Sequence, residues 1–295
     1  MLNIQKISKS YKNKPVLEDI SLHIEESAGV YGLLGRNGAG KTTLMKIIFD
    51  MIPNYLGKIT LHGEAIPETP DQLANILYVG GEINKYNLLF QGKINHLMKA
   101  YAQMYPSFDS DFAHRMLERF EIDPKQKFSK LSTGNKTLVQ NIIGLASYCP
   151  LTILDEPTNG LDSVNRQLFF QFLMESFEAH PRAFILSTHL IQEVEHYLTH
   201  VVMLKDHHII LNDTIEGIQE KSHRIINGPQ LSHPVIHQDQ LGMMTIQDIY
   251  GDLSAQELQT IKDHGGNIEP LGLQDLFNGL MLHNQTLTLQ SNNTH

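Results

Sequence analysis

Residues 35–42 read Gly35-Arg36-Asn37-Gly38-Ala39-Gly40-Lys41-Thr42, with Thr43 next. This spacing of glycines, lysine and threonine curls a backbone so that several N–H groups point at one anion, and it needs a strand before it and a helix after it. Both flanks are present. Residues 28–34 form a short apolar run of strand length, and Leu44, Met45, Ile47, Ile48 and Met51 fall at helical spacing. The helix would turn its positive end towards the same anion. Asn37, Gly38, Ala39, Gly40, Lys41, Thr42 and Thr43 therefore form a candidate triphosphate cradle. Lys41 is its mobile cation and the Thr42 hydroxyl a ligand for Mg²⁺.

The chain has 295 residues, enough for one large domain or two ordinary ones, and a net charge of −9. That balance argues against a general nucleic-acid partner. No apolar stretch approaches the about 20 residues that span a bilayer, and the first residues lack the apolar core of a secretory signal. A single cysteine, Cys149, excludes a disulfide framework within the chain and fits a reducing compartment. It reads as a small buried hydrophobe rather than a nucleophile. The expected location is cytoplasmic.

The first third is β-rich, with strands over 4–7 and 16–24 around a turn at 12–15, and another over 57–63. The middle turns helical. Ile94 to Tyr105 and Phe112 to Phe120 mark two apolar faces, and a third helix starts at Ser132 as its N-cap. Strand and helix then alternate: a buried strand at 151–154, a helix from Val164 to Phe177, a buried strand at 183–187 and a helix over 190–198. Continuous apolar strands between helices mean a parallel sheet covered on both faces. Residues 201–204 and 209–211 look like a closing hairpin. Beyond about Asp213 the apolar signal is diluted. Strands at 243–249 and 268–271, helices at 254–263 and 273–282, and a frayed polar tail from 284 to 295 are expected there.

Three further constellations carry phosphate chemistry. The strand at 151–154 runs into Asp155-Glu156, and strand ends in such sheets lie beside the phosphate loop. Asp155 is placed to hold Mg²⁺ and Glu156 to polarise an attacking water. His189 ends the next strand, one crossover later, where an imidazole can sense the terminal phosphate. Ser132-Thr133-Gly134 opens a helix and makes a second anion site. Two copies placed head to tail would bring each phosphate loop to the Ser132 helix of the other.

Together, Gly35–Thr43, Leu131–Asn135, Ile153–Glu156, 159–162 and His189 resemble, in order and spacing, the nucleotide-binding subunit of ABC transporters over about residues 1–215. The resemblance implies an α/β fold. It has a P-loop NTPase core with a mixed or parallel sheet, an N-terminal antiparallel β subdomain, an α-helical subdomain over about 85–150, and a small α+β C-terminal extension over 216–295. It further implies ATP and Mg²⁺ as cofactors, a homodimer or heterodimer of nucleotide-binding subunits, and a separate transmembrane permease. Tyr11 matches the aromatic that stacks on adenine. Lys41 and Thr42 match the phosphate and Mg²⁺ contacts, Asp155 the Mg²⁺ acid, Glu156 the catalytic base and His189 the switch histidine. Ser132 and Gly134 match the residues that meet the partner's terminal phosphate, and Asp162 the segment linking the two sites.

Two segments depart from the family pattern. Thr133 and Asn135 stand in a Leu-Ser-Gly-Gly-Gln segment, and Gly81 stands where a metal-contacting Gln belongs, with Glu82 as a substitute ligand. Residues 270–277 resemble the extension of bacterial exporter ATPases of the drug, bacteriocin and peptide type, and the extension is a candidate for stabilising the dimer. Tyr86, Leu88, Leu89 and Phe90 form an apolar cluster suited to a permease. The implied activity is ATP hydrolysis driving export. A soluble ATPase of the same fold and an ATP-sensing regulatory subunit are the rival readings. The 16 histidines are scattered and give no metal-ligand spacing.

Overall fold

The computed structural model describes residues 2–25, 29–66, 75–80, 92–282 and 289–290. Three sheets organise the described residues. The first is antiparallel, with β1 (Leu2–Tyr11), β2 (Lys14–Ile24), β4 (Leu56–Leu61) and β5 (Glu64–Ala65) in the order β2-β1-β4-β5. Ile20, Leu22 and Ile24 of β2 are buried in alternation with exposed residues, the period expected of a strand with one wet face, and a bulge before Ile20 keeps Leu17 on the buried side.

The central sheet has seven strands. They are β3 (Gly29–Gly35), β6 (Ile76–Val79), β7 (Leu151–Asp155), β8 (Ala183–Ser187), β9 (His200–Lys205), β10 (His208–Thr214) and β15 (Leu289–Gln290). Their order is β15-β10-β9-β3-β8-β7-β6, parallel except for the β9–β10 hairpin. Successive residues of β6, β7 and β8 feed two different cores. Leu77, Val79, Leu154, Phe184 and Leu186 join the one on the helical side. Ile76, Tyr78, Leu151, Ile153 and Ile185 join the one shared with the antiparallel sheet and α1 (Lys41–Ile48). Strands covered on both faces read as the unbroken apolar runs seen in the sequence.

Helices α2 (Ile94–Met104), α3 (Ser110–Arg119) and α4 (Thr133–Ala146) cover the helical side, with α5 (Ser163–Ala179) behind them. Ser132 does cap α4: its Oγ accepts the Asn135 N–H at 3.2 Å. Asp162 caps α5 in the same way at 2.8 Å. Cys149 is buried, and burial pushes its thiol up to about 12. The helix expected over 190–198 is shorter. It holds one α turn, α6 (Ile191–Val194), and then a 3₁₀ turn at Glu195–Tyr197, because Tyr197 turns back to stack on Phe170 at 4.8 Å.

After β10 come α7 (Ile215–Lys221), β11 (Ser222–Ile226) and β12 (Val235–Leu241), none of them marked by a clear apolar period. With β13 (Met244–Tyr250) and β14 (Asn267–Pro270) the strands form a third sheet in the order β12-β13-β11-β14. Helix α8 (Ala255–Asp263) starts at a reciprocal capping box of Ser254 and Glu257. Helix α9 (Leu273–Leu282) drives Leu273, Leu276 and Leu280 into the larger core of the central sheet. The polar tail is not frayed throughout: Leu289 pairs with Leu211 in parallel and is buried. An apolar residue at the right spacing beyond α9 outweighs the polar composition around it.

Candidate active site

The phosphate loop sits between β3 and α1, as its glycines require. Gly40 caps α1 at φ 102°, and a Cβ there would stand 2.8 Å from the Val16 carbonyl, so β2 presses directly on the loop. Lys41 is buried, and its ammonium donates to the Gly35 carbonyl at 2.7 Å and the Arg36 carbonyl at 3.3 Å. Burial lowers the Lys41 pKa, while the nearby Glu156 and Asp155 carboxylates oppose that shift. A hollow of about 390 Å³ is lined by Val16, Asn37–Thr43 and Glu156.

Asp155 ends β7 beside this loop and receives three hydroxyls. Thr42 Oγ1 donates to its Oδ1 at 3.3 Å, Ser187 Oγ to the same oxygen at 2.7 Å, and Tyr78 OH to Oδ2 at 2.8 Å. Glu156 follows at φ 51°, a left-handed conformation that costs a non-glycine residue of order 1–3 kcal/mol. Two contacts hold it there. Its N–H donates to Ser187 Oγ at 2.9 Å, and its Oε2 accepts from His189 Nδ1 at 2.9 Å. Behind it, Asn141 of α4 donates from Nδ2 to the Pro157 carbonyl at 2.7 Å. A second cleft of about 360 Å³ opens here, lined by Thr42, Gly80, Thr133, Thr137, Gln140, Asn141, Asp155 and Glu156 among others.

Lys41, Thr42, Asp155, Glu156 and His189 are thus brought together. Three predicted residues are not. Tyr11 stands at the end of β1, 45% exposed, with the Lys9 ammonium 5.0 Å from its ring centroid. Ser132 spends its oxygen on its own helix. Gly134 packs inside the chain, because a Cβ there would lie 2.8 Å from the Gly160 carbonyl. Gly81, Glu82 and the cluster Tyr86, Leu88, Leu89 and Phe90 lie outside the described residues.

Sequence reasoning missed Tyr78, Ser187, Gln140 and Asn141. Tyr78 and Ser187 were hidden inside strand runs. Gln140 and Asn141 left a usable signal, since they are polar residues in the middle of a helix whose neighbours are all apolar.

The donor set fits a nucleoside triphosphate with a hard divalent cation. Backbone N–H groups and a lysine stand ready for phosphate, and a carboxylate beside a threonine hydroxyl suits an ion that keeps most of its waters. Comparison with known proteins agrees on the nucleotide. The family described as ABC transporter matches residues 17–159. The putative ABC transporter ATP-binding protein AlbC of Bacillus subtilis is 34% identical over 222 residues, 71% of this chain and 90% of that protein. The lantibiotic transport ATP-binding protein SrtF of Streptococcus pyogenes is 29% identical over 219 residues, 74% of this chain and 92% of that one. The high-affinity zinc uptake system ATP-binding protein ZnuC of Bacillus subtilis is 28% identical over 215 residues, 70% and 91% of the two chains. This chain belongs to the ABC transporter family, as an ATP-binding ATPase subunit.

Proposed function

We propose that two copies of this chain, or this chain and a related subunit, close on two Mg²⁺-ATP molecules and that Glu156-assisted hydrolysis reopens them. The motion drives a separate membrane permease that holds the pair at the inner face of the membrane. The observation that carries this reading is the continuous contact chain Thr42–Asp155–Ser187–Glu156–His189 at the mouth of the phosphate loop. Subunits of this family pair and work with transmembrane components.

In the closed state Asn37–Thr43 surround the phosphates and Lys41 leaves its own loop carbonyls for them. Tyr11 stacks on adenine, and Ser132 and Gly134 of one copy meet the terminal phosphate of the other. Asp155 and Thr42, with Glu82 as a further ligand, would hold Mg²⁺, which would supply positive charge against the phosphates. Glu156 accepts the proton of the attacking water, and His189 orients that carboxylate.

The cargo we propose is a drug-like molecule or an antimicrobial or amphipathic peptide, moved outwards. The name of SrtF and the resemblance of residues 270–277 to exporter extensions support this, while ZnuC is named for uptake. Residues 1–215 are proposed as the nucleotide-binding domain and 216–295 as an extension that stabilises the pair.

The test is Glu156→Gln. It should lower ATP turnover by about 10²–10⁴-fold and accumulate an ATP-bound dimer in solution scattering. Equal turnover in the variant and the parent would favour a subunit that senses ATP without a carboxylate base.

A further inference from the structure

Helix α4 carries Gln140 and Asn141 in the midst of buried apolar neighbours. Asn141 holds the Glu156–Pro157 turn through its bond to the Pro157 carbonyl. Gln140 has no such duty. It is only 4% exposed, and its Nε2 has no hydrogen-bond partner among the described residues. It lines the cleft of about 360 Å³ shared with Thr42, Asp155 and Glu156. A buried N–H left unpaired costs about 1–3 kcal/mol, whereas a methionine of similar volume would fill the same space without that cost. The amide nitrogen is closed to solvent in this structure, so its partner is one that reaches it as the cleft is filled.

We propose that Gln140 is a further catalytic residue of ATP hydrolysis: its carboxamide N–H holds the attacking water against Glu156. The proposal rests on Glu156 being the base. A water in line with the γ-phosphorus has two protons and two lone pairs. One lone pair makes the new bond, one proton goes to Glu156, and the other lone pair needs a donor. Three donors of the cleft are committed, Thr42 to Asp155, Thr137 to the Thr133 carbonyl and Asn141 to the Pro157 carbonyl, and the other two, Thr133 and Asn159, are exposed where Gln140 is buried. As the water oxygen bonds to phosphorus, the bond from phosphorus to the β–γ bridging oxygen breaks and ADP leaves with that electron pair. Phosphate departs, the proton rests on Glu156, and Gln140 is unchanged.

Gln140→Met and Gln140→Asn test this beside Glu156→Gln. ATP turnover, affinity for a fluorescent non-hydrolysable ATP analogue with Mg²⁺, and Tm without nucleotide are measured on each. Both Gln140 variants should lose about 10–100-fold in kcat and keep KM and analogue affinity within about twofold. Gln140→Met should melt no lower than the parent, because it removes an unpaired buried amide. Gln140→Asn keeps the amide but withdraws it, so it covers the case in which Gln140→Met does not fold. Parental kcat in a folded Gln140 variant overturns the proposal, as does a lower Tm with unchanged kcat. If Glu156→Gln is inactive while Gln140→Met turns over normally, only this proposal fails; if Glu156→Gln is fully active, the base reading fails first.

Discussion

Asp155 shows how a single carboxylate is aimed. Its Oδ2 is held by the buried Tyr78 phenol and its Oδ1 by Ser187, so the side chain has little freedom left before any metal arrives. A hydrogen bond to a charged group contributes about 1.5–3 kcal/mol. Tyr78→Phe keeps the ring and removes the donor. We expect it to cost about 1.5 kcal/mol of stability and to raise the Mg²⁺ concentration for half-maximal ATP turnover about threefold or more, a weakening of the order that one lost hydrogen bond produces. A Mg²⁺ titration that superimposes on the parent's would reduce Tyr78 to a space-filling role. Glu156 is aimed differently, through a backbone in the left-handed region fixed by Ser187 from one side and His189 from the other. The strain sits where the proposed chemistry sits.

At the scale of elements, α4 serves two ends of the proposed mechanism. Its N-terminus is capped by Ser132, and its middle presents Gln140 and Asn141 to the β7 turn. Capping and the proposed phosphate recognition by Ser132 make opposite demands on a substitution. Ser132→Asp retains a good cap, so stability should stay within about 0.5 kcal/mol of the parent. The added negative charge should abolish ATP-dependent pairing, read as the loss of the dimer that Glu156→Gln forms with ATP. A Ser132→Asp, Glu156→Gln double variant that still dimerises with ATP would limit Ser132 to its cap. The same element logic explains the short α6. The chain leaving His189 makes one turn, is tied to α5 by Arg166 and Glu193 at 2.9 Å, and then bends for Tyr197 to reach Phe170.

Over the whole molecule, the central sheet separates two cores, and the C-terminal segment contributes to one of them. Helix α9 packs Leu273, Leu276 and Leu280 there, and Lys205 donates to the Leu280 carbonyl at 2.9 Å. Leu273 N–H meets Glu195, just beyond α6, at 3.4 Å. The last described strand returns to the sheet edge at Leu211. Leu289→Ala should therefore lower unfolding stability by about 2 kcal/mol and leave kcat for ATP unchanged. A denaturant midpoint equal to the parent's would mean that β15 adds no stability.

Local rules determined much of this protein. The glycine spacing at 35–42 placed a strand, loop and helix, the unbroken apolar runs placed the parallel strands, and Ser132 announced its helix because a cap acts over three residues. The same locality put Asp155, Glu156 and His189 at strand ends on one sheet edge. The tertiary structure decided what local pattern does not encode. Packing between distant segments assigned the Tyr78 phenol to Asp155, the Ser187 hydroxyl to the Glu156 backbone, the Gln140 residue to the cleft wall and Leu289 to the sheet. A side chain's neighbours across a sheet depend on register and packing, and neither is written in the spacing of residues along the chain.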